Sequence, residues 1–115
     1  MNAKELIKRM ENLAKKENTP VRWRVTQFCG DPYCSRFHPE RGLEITPSGK
    51  WFYLPSPYGH GSLIQPLPER EPVSDDPVRL AKEILKWARE SDPFLPYLSY
   101  PQHIDVDPDG ALVLM

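Results

Sequence analysis

Two thiols and an imidazole fall within ten residues of this chain: Cys29, Cys34 and His38, spaced C-x4-C-x3-H. Thiolate and imidazole are the preferred ligands of tetrahedral zinc. No Cys or His precedes Cys29, so a fourth ligand would have to come from His60 or His103. His60 lies between Gly59 and Gly61, in a segment whose glycines permit close backbone approach, and is the expected fourth ligand. Two other chemistries fit the same residues. Free cysteines behave as small buried hydrophobes, and a Cys29–Cys34 disulfide would form where geometry and an oxidising compartment allow. Cys34 with His38 or His60 is also the pair that a small cysteine-centred enzyme would use, although no local nucleophile signature accompanies it.

The C-x4-C-x3-H spacing resembles the last three ligands of the CCCH-type zinc finger, a family that binds single-stranded RNA. The resemblance covers ten residues, Cys29 to His38, and implies a zinc-stabilised module in contact with nucleic acid. Arg22, Arg24 and Arg36 would supply its phosphate contacts. The family's first cysteine has no counterpart here.

Other constellations are incomplete. His60 and Ser62 lack the G-x-S-x-G elbow of a hydrolase. Asp105, Asp107, Asp109 and Gly110 begin like a calcium loop, but the glutamate due at its twelfth position is absent. Pro108 and the apolar residues after Gly110 point to a hairpin instead. Phe94, Tyr97 and Tyr100 alternate with Pro93, Pro96 and Pro101, and Tyr58 lies in a second proline-rich stretch. Aromatic rings supply core area or, where exposed, grip a protein partner.

Composition sets the frame. The chain has 115 residues, 39% hydrophobic and 27% charged, as expected of one globular domain. No apolar run approaches the roughly 20 residues that span a bilayer, and the charged N-terminal stretch is no secretory signal. A soluble, cytoplasmic protein without membrane attachment is expected. Net charge is −1, although residues 1–41 hold nine Lys/Arg against five Asp/Glu. That imbalance falls well short of a DNA-binding footprint. Fourteen prolines with three Asn and three Gln match a pattern seen in thermophilic proteins.

Periodicity then places the elements. Residues 3–17 read as an amphipathic helix with Leu6, Met10, Leu13 and Ala14 on one face, capped by Asn2 with Glu5. Residues 21–28 alternate as a half-buried strand, Val21, Trp23 and Val25 inward and Arg22 and Arg24 outward. Residues 43–54 predict a hairpin turning at Pro47-Ser48-Gly49, and 55–73 a long proline-rich connection. Residues 77–90 form a second helix, capped by Asp76 with Pro77 at its first position. Its wide apolar surface, with Trp87 in the core, predicts deeper burial than the first helix has. Residues 104–115 repeat the hairpin pattern at Asp-Pro-Asp-Gly, by turn chemistry or by duplication.

The expected fold is therefore α+β, with two helices on one face of a small, mainly antiparallel sheet containing two hairpins. The leading functional expectation is a non-catalytic module that binds a protein through its aromatic and proline-rich surface and long loop. The alternatives are the zinc-stabilised nucleic-acid module and the small Cys/His enzyme.

Overall fold

The computed structural model describes residues 2–26, 40–54, 70–91 and 103–114. In chain order these form α1 (Ala3–Glu17), β1 (Val21–Thr26), β2 (Glu40–Ile45), β3 (Trp51–Leu54), β4 (Glu71–Pro72), α2 (Pro77–Ser91), β5 (Ile104–Val106) and β6 (Leu112–Leu114). The strands make one six-stranded sheet in the order β4-β3-β2-β1-β6-β5. All pairs are antiparallel except β1 with β6, which run parallel. Two helices with a mixed, mainly antiparallel sheet is the α+β class that the periodicity predicts.

Local chemistry sets the element ends. Asn2 Oδ1 accepts the Glu5 N–H at 2.9 Å, satisfying one of the orphan donors that begin α1. The helix ends where Asn18 turns left-handed at φ 49° and its N–H bonds the Ala14 carbonyl. Pro20 then forbids continuation. Its carbonyl accepts the Leu112 N–H at 2.9 Å, the contact that begins the parallel pairing of β1 with β6. At α2, Asp76 caps the Val78 N–H at 3.0 Å and Pro77 occupies the first helical position.

Both hairpin turns have the same construction. Thr46 N–H donates to the Lys50 carbonyl and Gly49 N–H to the Thr46 carbonyl. In the second hairpin the same pair of bonds runs from Asp107 to Ala111 and from Gly110 to Asp107. Gly49 at φ 92° and Gly110 at φ 90° take the left-handed position that a side chain would strain. The matching sequences thus fold into matching turns.

Register across the sheet sorts side chains into rows. One row reads Val106, Leu112, Val21, Ile45, Trp51, and the next Ile104, Leu114, Trp23, Leu43, Tyr53. The inner members of these rows, with Leu6, Met10, Ala14, Ala81 and Ile84 from the helices, make the core. Trp23, on the central strand, is only 2% exposed. Between these rows, on the opposite face, run Asp105, Val113, Arg22, Glu44, Phe52 and Pro72.

Four expectations are corrected. The helix that buries more is α1, with Ala3, Leu6, Ile7, Met10 and Ala14 enclosed, whereas α2 encloses Ala81, Ile84 and Leu85. The apolar arc of α2 is wider than the contact it makes, so Val78, Leu80, Trp87 and Ala88 are left half-buried at its flanks. Trp87 accordingly sits at the core's margin, with the Arg41 guanidinium 4.7 Å from its ring centre. The end of the 55–73 segment is a strand, β4, held to β3 by the Val73 N–H on the Trp51 carbonyl. A two-residue strand containing proline carries no periodic signal. The first hairpin also starts earlier, at Glu40, because its added residues include Gly42, which reads as a break.

Gly42 is required by close approach. A Cβ there would overlap the backbone carbonyl oxygen of Trp23. Gly42→Ala is therefore expected to push β1 from β2 and cost about 1–3 kcal/mol, as overpacking does. Urea unfolding checks this; an unchanged midpoint would mean the two strands separate freely at this point.

Candidate functional site on the charged sheet face and its edge

The face opposite the helices centres on Arg22. Its Nε donates to Glu44 Oε1 at 2.7 Å, and its Nη1 to Asp107 Oδ2 at 2.7 Å and Asp109 Oδ1 at 2.9 Å. Its Nη2 donates to Asp109 Oδ2 at 2.6 Å. Arg24 Nη2 lies 3.0 Å from Asp107 Oδ2. From the other side Arg70 Nη1 pairs with Glu44 Oε2, and its guanidinium stacks 4.0 Å from the Phe52 ring centre. Three arginines meet three carboxylates, so the cluster is neutral.

Glu44 is 1% exposed, a carboxylate that must be paired to stay charged there. Arg22 faces it directly across the β1–β2 ladder. The same guanidinium reaches the turn of the β5–β6 hairpin. Arg22 therefore ties the second hairpin to the first through β1, reinforcing the parallel β1–β6 pair, which is the weaker kind of ladder. It holds β5 in place as the outermost strand.

Burial works against the Arg22 charge, but hydrogen bonds and attraction to Asp109 and Asp107 outweigh it, and its pKa is raised. The Asp109 carboxyl is held below its ordinary value, first by the Arg22 hydrogen bond and then by the Ala111 N–H. A carboxyl that binds its proton more weakly folded than unfolded favours folding above about pH 4. That contribution disappears as pH falls through its folded pKa. Asp109→Asn should thus leave a flatter acid limb in a plot of stability against pH. The effect is small, because Asp109 is largely exposed and solvent screens the pair. An acid limb as steep as that of the wild type would remove Asp109 from the cluster's energetics.

The two sheet edges differ. β4 is two residues long, charged at Glu71 and blocked at Pro72, features that discourage pairing with another strand. β5 carries Ile104 and Val106, 46% and 62% exposed, the exposed large hydrophobics among the described residues. Both lie in the rows that form the core further in, so β5 extends the apolar side of the sheet beyond the helices.

Of the residues singled out from the sequence, Arg22 and Arg24 fall in the described part. They share one face, as alternation requires, with Arg24 more exposed than Arg22. Cys29, Cys34, Arg36, His38, Tyr58, His60, Phe94, Tyr97 and Tyr100 lie outside the described residues. Among the described residues no group of three or more His, Cys, Asp or Glu side chains is placed to hold a metal ion, and no helix is long and apolar enough to cross a membrane. Asp107 and Asp109, the calcium-like residues, are instead taken up by Arg22 and Arg24. Glu44, Arg70 and the exposed edge of β5 are features the sequence reading missed. One signal was present: arginines two apart on a strand, 22 and 24, and aspartates two apart in a turn, 107 and 109, can match face to face. Only the parallel β1–β6 register brings them together.

Among the described residues, the fold is an α+β sheet whose outermost strand β5 presents an apolar, exposed edge. No protein-family model, curated protein or solved structure matches the chain.

Proposed function

We propose that the chain is a non-catalytic interaction module that binds a protein partner, with β5 as part of the contact. The observation that carries this is the exposure of Ile104 and Val106 on the outermost strand. Edge strands normally avoid exposed apolar residues, because unpaired backbone beside them is a template for another chain. Phe94, Tyr97 and Tyr100, shortly before β5 in sequence, and Tyr58 in the long connection are the further contacts that this reading names. The nucleic-acid alternative is less favoured, because Arg22 and Arg24 would have to give up bonds to Glu44, Asp107 and Asp109 before meeting phosphates.

Photo-crosslinking in the source cells tests the reading. A photoreactive residue at position 104 should give a discrete protein adduct that the same residue at position 8, on the outer face of α1, does not. The adduct should be lost with Val106→Lys in a chain that melts normally. Equal adducts at both positions would refute the proposal, and a nucleic-acid adduct would transfer support to the alternative.

A further inference from the structure

We propose that β5 takes an extended segment of a different protein as an added antiparallel strand, and that Asp105 selects a segment with a basic residue flanked by apolar ones. The inference rests on the protein-partner reading and names the kind of partner.

The backbone groups of β5 alternate in direction along the strand. Asp107 N–H bonds the Ala111 carbonyl across the hairpin, so Asp107 and Asp105 point their backbone groups toward β6. By alternation Val106 and Ile104 point theirs away from it, off the sheet. The Val106 N–H is met by its neighbour's side chain, Asp105 Oδ1, at 2.8 Å. An incoming strand whose carbonyl takes that N–H displaces the carboxylate. The freed carboxylate is then open to a cation on the added strand, and among the described residues no Lys or Arg side chain bonds Asp105.

The first hairpin shows what such an edge takes. Glu44, Ile45 and the Thr-Pro-Ser-Gly turn correspond to Asp105, Val106 and the Asp-Pro-Asp-Gly turn, with the same turn bonds. Thr46 bonds Lys50 as Asp107 bonds Ala111, so Leu43 and Ile45 point their backbone groups outward from that hairpin in the same phase. There the outer neighbour exists: it is β1. Val21, Arg22 and Trp23 lie opposite Ile45, Glu44 and Leu43. The protein thus already contains the complement that β5 lacks among the described residues, an apolar–arginine–apolar strand. Asp105 would occupy a non-hydrogen-bonded position toward the added strand, where opposed side chains come closest.

The same geometry argues against a second copy of the chain. In the antiparallel register that overlaps all three residues of β5, Asp105 meets Asp105, and like charges directly opposed destabilise a sheet.

The test titrates the full chain, under reducing conditions, with the capped peptide Pro-Val-Arg-Trp-Arg-Val and with its counterpart in which the first arginine is glutamate. NMR shifts report the site. The arginine peptide should perturb residues 103–107 and bind roughly 2- to 10-fold tighter than the glutamate peptide. In Asp105→Arg the preference should invert, a result that misfolding cannot produce. Equal binding of the two peptides, no binding at millimolar concentration, or shifts confined to other residues would overturn the proposal. So would wild-type dimerisation through β5, read by sedimentation. A position-104 adduct that persists while the peptides fail would leave the partner reading standing and remove strand addition alone.

Discussion

Trp23→Ala should lower stability by about 3–5 kcal/mol, the range for truncating a fully buried large aromatic. Trp23 sits on the central strand, 2% exposed, with Leu114 on one side and Leu43 on the other in its row. Both row neighbours are held in the sheet ladder, which limits how far the site can collapse to refill the space. Trp87→Ala is the contrasting case. Its ring is half-buried at the margin of the core and partly covered by Arg41. Its loss should cost about half as much, because less apolar area returns to water. Urea unfolding of both variants checks the pair. Equal losses would place Trp87 in the core and contradict the arrangement of α2.

Arg22→Ala should be comparably severe, about 3–5 kcal/mol, because it leaves a buried charge without one of its partners. Glu44 would keep Arg70 alone, while Asp107 and Asp109, both more exposed, could turn to water. The diagnostic comparison is the double variant. Arg22→Ala with Glu44→Leu removes the stranded carboxylate as well and should be more stable than Arg22→Ala by itself. A double variant that is worse would mean that the arginine acts through its stem packing and not through the charge it answers.

How much of this was legible in the sequence depended on whether the signal was local. The helices, their Asn2 and Asp76 caps and both glycine turns follow from residues a few positions apart, and all appear where the periodicity put them. β4 was not legible, because Glu71 and Pro72 become a strand only by lying beside Phe52 and Tyr53. The charged face was half legible. Alternation put Arg22 and Arg24 on one side of β1, but Arg22 finds Glu44 22 positions away and Asp109 87 positions away. Those distances in sequence are closed by strand order, above all the parallel β1–β6 pair, which no hairpin rule supplies. The open edge was invisible for the same reason. Ile104-Asp-Val106 alternates like any hairpin strand, and only the sheet order leaves it outermost.

That edge carries the functional account, and amide hydrogen exchange measures it directly. Exchange would be followed across the whole chain, alone and in complex with the protein captured at position 104. Slowed exchange is expected at Ile104 and Val106, whose N–H groups face off the sheet, with the outer faces of α1 and α2 unchanged. Protection on the helices or at β4, with β5 exchanging as it does in the free chain, would contradict it.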